Sequence, residues 1–388
     1  MKKNISFICG CIEQGKDGVG DYTFQLAEVF AKNYNVFIIA INDAFVNQLT
    51  SNNQSSIQIF RIPQTYNWKA KQIELSKLIS TISPEWISLQ LVPFGLNYKG
   101  IILKAIQPLK YSIGAIPLHL MLHELWLGEE IGASRLNKLK GKIIRHFVLR
   151  LIRKLTPKAI HVSCEINQHL LQRHKIASDI NPIFSNIKIN QNYKREKTIQ
   201  EIKSKISLFD DGNPMFIAGL FGSIHPQWDF SLCLSHLRNT AKLLDKKLVI
   251  IGFGKISSDS IVNIKSQLGK EENLVYLGMD SETNISNYIQ LCDLGITSNP
   301  EILVSKSGSI AAFWLHGKPV VICRDDLKIK GFETKKTPHS LLLKPQDLIK
   351  YFTQIPSKTT TNFKYTPQDS AMQIQNAMIQ YEKAPLIS

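Results

Sequence analysis

The sequence contains no uninterrupted apolar run of the roughly 18–20 residues that a membrane-crossing helix requires, although 44% of its 388 residues are hydrophobic. A chain built on spanning helices is thereby excluded. Cysteine is scarce: six residues, Cys9, Cys11, Cys164, Cys233, Cys292 and Cys323, lie mostly in apolar stretches. Cys9 and Cys11 stand two apart and would share one face of a strand, but no second pair has the spacing of a zinc site. The pattern speaks against a disulfide framework and fits small buried thiols in a reducing cytoplasm. Basic residues interleaved with aromatics are missing too, as is any recognisable nucleic-acid module. The formal net charge of +16 therefore points to phosphorylated substrates or acidic lipid before nucleic acid. No repeat of solenoid period is present. The opening lysines and the segment ISFICGC form too short an apolar stretch for a signal peptide, with Glu13 and Lys16 following at once. They read as a buried first strand.

What the chain does have is alternation. A length of 388 residues is too great for one ordinary core and suggests two α/β-sized domains. Residues 4–11 and 35–41 read as short buried strands. Between them, Asp21 to Lys32 places Phe24, Leu26, Ala27 and Phe30 at helical spacing. Strand, helix and strand make a βαβ unit, which belongs in a parallel sheet. SIQIFRI, WISLQLV, HLMLHEL and AIHVSC continue the strands, with helical segments at Trp68–Ser80 and Leu136–Leu155. Residues 1–190 are thus expected to form one Rossmann-like domain. Residues 188–212 are polar and lysine-rich, suiting a linker or connecting helix. A second series runs through PMFIAGLFG, FSLCLSHLRNTAKLL, KLVIIGFG, a helical stretch near 260–268, NLVYLG, SNYIQLC, LGITS, IAAFWLH and PVVIC, giving a second Rossmann-like domain over 191–355. In the tail, 356–388, the stretch Ala371–Tyr381 is expected to be a helix packing back across the junction. Two such α/β halves facing each other would leave a ligand cleft between them, at the carboxyl ends of the strands.

Three motifs could carry chemistry. In the first, Gly15, Gly18 and Gly20 stand between the first strand and helix, where glycine lets backbone approach a ligand and the helix offers free N–H groups. A dinucleotide reading would use Gly18, Gly20 and Asp43, but Thr23 occupies the place of the third glycine of that fingerprint. A plain turn with Asp21 as helix cap is the competing explanation. The second is Lys306-Ser307-Gly308-Ser309 before IAAFWLH. Ser307 or Ser309 can cap that helix and Gly317 can end it. Two hydroxyls, open backbone N–H groups and a lysine could equally receive a diphosphate. The third is His123-Glu124, which ends the strand HLMLHEL and so comes to the rim of the sheet. His123 could bond a sugar hydroxyl or handle a proton, or it could simply donate to a backbone carbonyl.

The segments GKDGVGDYTFQLAEVF, WISLQLVPFG, LHELW, PIFSNI, FGSIHPQWDF, VIIGFG and KSGSIAAFWLHGKPVV resemble, in the same order, segments of bacterial family-four glycosyltransferases. The resemblance covers nearly the whole chain and is most specific in its first and last segments. It implies a GT-B fold, two Rossmann-like domains across a cleft, with the acceptor in the N-terminal half and a nucleotide-sugar in the C-terminal half. It also implies transfer with retention and without a metal or other cofactor, helix termini and cations stabilising the diphosphate. Gly18 to Gly20 match the family's glycine loop, and His123 falls where the family has a histidine near the transferred sugar. The family's two donor-site glutamates would stand at Val304 and Ala312, so both are missing in this register, with Glu301 nearby. Its arginine–lysine clamp on the diphosphate is replaced by Gly222, Ser223, His225 and Gln227.

These readings combine into one expectation. His123 and Asp21 are the candidate catalytic residues. Gly18, Gly20, Gly222, Ser223, Glu301, Lys306, Ser307, Gly308 and Ser309 are the candidate donor-binding residues, with no metal ligands. The substrates would be a nucleotide-diphosphate sugar and a glycan or lipid-linked saccharide, as in surface-polysaccharide synthesis. The basic stretch 135–158 offers a further contact. Leu136, Leu139, Ile143, Phe147, Leu151 and Leu155 are expected on one helical face, with Lys138, Lys142, Arg145, Arg150, Arg153 and Lys154 around the rest. Such a helix could hold a cytoplasmic enzyme on the acidic inner face of a membrane, or its apolar face could meet the sheet. A non-catalytic GT-B binding protein, a sugar-nucleotide epimerase and a dinucleotide oxidoreductase are the alternatives.

Overall fold

The computed structural model describes residues 2–206, 212–225, 228–269, 274–324, 327–333, 340–354 and 365–383. The chain divides into two compact units. The first comprises Met1–Asn186, Lys328–Phe332 and Thr366–Ser388, and the second Ile187–Leu327 and Glu333–Tyr365.

The first unit holds strands β1 (Asn4–Cys9), β2 (Asn35–Asp43), β3 (Thr50–Gln54), β4 (Ile57–Pro63), β5 (Trp86–Leu91), β6 (Leu118–Leu122), β7 (Ala159–Val162) and β8 (Asp179–Ile180). They form one sheet in the order β3-β4-β2-β1-β5-β6-β7-β8. Only β3 runs antiparallel, against β4. It is a polar, mostly exposed edge strand, TSNNQ, so it carries none of the apolar alternation that reveals a strand in a sequence. The direction in which the sheet grows reverses between β1 and β5, the place where open α/β sheets bind ligands.

The helix after β1 is Gly18–Phe30, three residues earlier than the apolar spacing suggested. Asp17 rather than Asp21 caps it, accepting the Gly20 N–H at 2.7 Å. This satisfies one of the helix's orphan donors. The last helix, Pro367–Lys383, packs on Gly18–Phe30 and on β7. Tyr22 Oη and Ser370 Oγ lie 2.8 Å apart in a buried hydrogen bond, and Trp86 Nε1 donates to Glu382 at 3.2 Å.

The helix Arg135–Leu155 departs from its expected face. Its buried residues are Gly141, Ile144, Val148, Leu149, Leu151, Ile152 and Leu155. Leu136, Leu139 and Ile143 are exposed instead. Gly141 sets this rotation: a Cβ there would lie 1.9 Å from the Leu127 carbonyl oxygen. The side of the helix carrying Gly141 must therefore rest on the preceding loop, which turns the 136–139–143 stripe outward.

The second unit holds β9 (Met215–Phe221), β10 (Lys247–Phe253), β11 (Leu274–Tyr276), β12 (Leu294–Thr297), β13 (Val320–Ile322) and β14 (Leu342–Leu343). Their order is β11-β10-β9-β12-β13-β14, every pair parallel. Alternate residues of β9 and β10 feed two apolar clusters, Ile217, Val249 and Ile251 on one and Phe216, Ala218, Leu248 and Ile250 on the other. Burial on both faces explains the continuous apolar runs. The polar stretch after 188 contains the helix Arg195–Lys205, and SNYIQLC lies in the helix Glu282–Leu291.

Candidate functional site

In the second unit the growth of the sheet reverses between β9 and β12, and the carboxyl ends of those strands carry the residues singled out above. Gly222 follows β9 with φ +78°, and nothing lies within 4 Å of where a Cβ would stand. This is a left-handed turn that favours glycine. Its N–H donates to the Phe253 carbonyl at 3.0 Å. Ser223 beside it is exposed, and the His225 N–H donates to Ser298 Oγ at 2.9 Å, joining the two strand ends. Gln227 lies outside the described residues.

After β12 the chain makes the short 3-10 turn Glu301–Lys306 and enters the helix Gly308–Leu315. Ser307 is its N-cap, accepting from the Ile310 N–H at 3.4 Å. The same oxygen accepts from Asn299 Nδ2 and lies 3.1 Å from Ser309 Oγ. Lys306 closes the 3-10 turn and is half-buried. At the far end Gly317, at φ +70°, completes a Schellman motif, with the Lys318 N–H donating to the Phe313 carbonyl at 2.9 Å. Phe313 seats the helix on the sheet: a Cβ at Gly295 would lie 2.5 Å from its ring, and one at Gly219 3.0 Å from it. Two strand glycines thus let the helix sit close, and its open end comes to the reversal point.

Glu301 carries an ion pair with Lys344 at 2.6 Å. Val304 and Ala312, the positions matched to the family's glutamates, are buried in the apolar cluster around Phe313. Side chains of that core leave no room for a carboxylate without a partner.

In the first unit the structure brings Gly15, Asp17, Gly18, Gly20 and Asp21 together at the start of the Gly18–Phe30 helix. Asp21 accepts the Gly15 N–H at 3.0 Å. Gly20 is required by packing, since its Cβ would lie 2.6 Å from the Cys11 carbonyl oxygen. Gly18 is exposed with open space around it. Asn186 Nδ2 donates to the Gly18 carbonyl at 3.3 Å, while Asn186 Oδ1 is buried without a hydrogen-bond partner among the described residues. Arg61 anchors the loop from the sheet side. It makes two bonds to Asp43, at 2.8 and 3.0 Å, and one to Glu13 at 2.6 Å. Burial opposes the Asp43 charge, but the Arg61 hydrogen bonds prevail and hold its carboxyl below the ordinary aspartate value. Asp43 is therefore engaged by Arg61 and cannot bind a ribose as the dinucleotide reading required.

His123 lies one residue past β6 and is buried, 5% exposed. Its ring meets the edge of Tyr22 at 4.9 Å between centroids, and Tyr22 stacks on Phe184 at 4.3 Å. His123 Nε2 lies 2.9 Å from Gln90 Oε1. Gln90 Nε2 donates to Ser88 Oγ at 2.8 Å, Ser88 Oγ lies 2.8 Å from His119 Nδ1, and His119 Nε2 lies 3.0 Å from His161 Nδ1. All five side chains are buried. Burial, with its neighbouring imidazoles, holds the His119 pKa well below the usual histidine value, and burial also lowers that of His161. Of this row the sequence reading found only His123. The others were signalled by polar residues two apart in otherwise apolar strands, Ser88 and Gln90 in WISLQL, and by His119 and His161 in theirs.

Among the described residues no three or more His, Cys, Asp or Glu stand together so as to hold a metal ion. No described helix is long and apolar enough to cross a membrane.

Two units of this strand order, with sheets parallel but for β3, make in one chain the GT-B class of fold, which the solved structures bear out. HepE of Anabaena, crystallised with UDP and glucose, aligns over 98% of this chain and 95% of its own, with TM-score 0.54 and 14% identity. The catalytic domain of starch synthase IV from Arabidopsis thaliana, bound to ADP and acarbose, aligns over 98% and 99%, with TM-score 0.59 and 10% identity. UDP-GlcNAc 2-epimerase from Neisseria meningitidis, bound to UDP-GlcNAc, aligns over 97% and 100%, with TM-score 0.52 and 12% identity. At such identities the likeness is one of fold. No protein-family model matches the chain, and no curated protein matches it by sequence.

Proposed function

We propose that this chain transfers a sugar from a nucleotide-diphosphate sugar to a glycan or lipid-linked saccharide, as in surface-polysaccharide synthesis, with retention and without a bound metal. The observation that carries the reading is the helix Gly308–Leu315, whose cap is tied to the end of β12 at the reversal point of the sheet, with the open turn at Gly222 ending the neighbouring strand β9. A leaving diphosphate gains negative charge, and a helix N-terminus with Lys306 beside it supplies fixed positive potential where that charge grows. The acceptor would meet the exposed start of the Gly18–Phe30 helix, where Asn186 Nδ2 holds the Gly18 carbonyl. His123 would orient the reacting sugar. The nucleotide-sugars and nucleotides bound by HepE, starch synthase IV and the epimerase support the donor class.

The exposed stripe Leu136, Leu139 and Ile143, with Ile131 also exposed, stands among Arg135, Lys138, Lys140 and Lys142. Apolar side chains ringed by cations suit the headgroup region of an anionic bilayer, each basic residue adding about 1 kcal/mol there. We assign this surface to membrane docking beside a lipid-linked acceptor.

A second reading, a nucleotide-sugar binder without turnover, is favoured by the pairing of Glu301 with Lys344 and the burial of Val304 and Ala312. A panel of nucleotide-sugars, with and without saccharide acceptors and with excess chelator throughout, separates the cases. Acceptor-dependent nucleotide release that survives chelation is expected. Binding without release would favour the second reading, and conversion of the donor with no acceptor present would mark an epimerase.

A further inference from the structure

We propose that Gln90 is a positioning residue whose side-chain amide holds the His123 ring as its Nε2–H tautomer, leaving Nδ1 as the ring's acceptor nitrogen. The assignment rests on the transferase reading only for the part that this ring plays beside the transferred sugar. Its geometry stands without that reading.

Gln90 is 2% exposed and Ser88 fully buried, both in a strand whose other residues are apolar. A buried amide must satisfy its carbonyl and its N–H₂ separately. Here Nε2 donates to Ser88 Oγ, which turns Oε1 toward His123 Nε2. A carbonyl oxygen has no proton to give, so the imidazole donates and Nε2 carries its hydrogen. The same logic passes down the row. Ser88 Oγ accepts from Gln90, so its own hydrogen serves His119 Nδ1; His119 Nε2–H then donates to His161 Nδ1. Each member fixes the sense of the next, and the low basicity of His119 and His161 keeps both rings neutral, one donor and one acceptor each. The opposite sense would need the Gln90 amide turned over and all three rings protonated on Nδ1.

Ser88 hydrogen-bonds Gln90 and His119 and not His123, so it separates direction-setting from loss of a direct partner. The full chain, labelled with ¹⁵N-histidine, reports the protonation of each ring nitrogen by NMR, the His123 signal being assigned by its loss in His123→Asn. The expected result is an unprotonated Nδ1 in the wild type, a mixture of tautomers in Ser88→Ala and in Gln90→Met, and restoration of the wild-type pattern in Gln90→Glu, whose carboxylate also accepts from Nε2–H. A wild-type ring protonated on Nδ1 overturns the proposal, as does a His123 pattern unchanged in both Ser88→Ala and Gln90→Met. In turnover, Gln90→Met is expected to lower kcat by about tenfold or more with little change in KM for the donor. An enzyme that turns over no nucleotide-sugar, yet shows the expected ring pattern, would refute the transferase reading and leave the role of Gln90 in fixing the tautomer established.

Discussion

Gly308 and Gly295 are both glycines of one unit, yet the space around them differs. Nothing lies within 4 Å of a Cβ at Gly308, whereas one at Gly295 would lie 2.5 Å from the Phe313 ring. Gly308→Ala should therefore fold as the wild type does, while its methyl crowds the N–H groups offered to a diphosphate. We expect an unchanged melting temperature and nucleotide affinity weakened about tenfold, a loss of about 1.4 kcal/mol, measured by calorimetry. Gly295→Ala should instead cost about 1–3 kcal/mol of stability through overpacking, visible as a lowered melting temperature. At this scale the sequence was legible where the cause is local. The Ser307 cap and the Gly317 turn lie next to the helix they bound, so their residue types announce them. The partners of His123 were not legible, because Gln90 stands 33 positions away and only the sheet brings it near. The partner of Glu301 was hidden in the same manner: its proximity to the donor motif in sequence said nothing of Lys344, 43 positions on.

The helix Arg135–Leu155 shows what helical periodicity settles and what it leaves open. Its existence, its bounds to within a residue and its basic character were readable. Its rotation was not, since apolar residues occur on two sides, and the choice fell to the contact of Gly141 with the Leu127 carbonyl. The outward stripe gives a direct test. Replacing Leu136, Leu139 and Ile143 together with serine removes exposed apolar surface only, so the fold should stay intact. Co-sedimentation with vesicles rich in phosphatidylserine should be lost, and wild-type binding should weaken as salt is raised. Retained sedimentation of the triple variant would remove the stripe from any role at a membrane. The short elements that escaped the sequence reading share a cause as well. β3 is polar and exposed, and β8 and β14 are two residues each, too short for any period to register.

For the whole molecule, two α/β series were plain from the alternation of strand and helix patterns. The path of the chain between units was not, because nothing local marks which core a late segment joins. The first unit takes in Thr366–Ser388 as well as its own first 186 residues. Ser370 reaches Tyr22, and Glu382 reaches Trp86. Removing residues 366–388 should thus loosen the N-terminal sheet, not the neighbouring C-terminal one. Hydrogen exchange should rise in β1, β5 and β7, with β9 and β10 unaffected; faster exchange confined to β9 and β10 would contradict the assignment. The same helix bears on how the protein is made. A ribosome releases the parts of the second unit while Tyr22 and Trp86 still await Ser370 and Glu382, which are made after it. The unit begun first is accordingly completed only after the second has emerged, and a stop falling before Ser370 would harm strands made long before it.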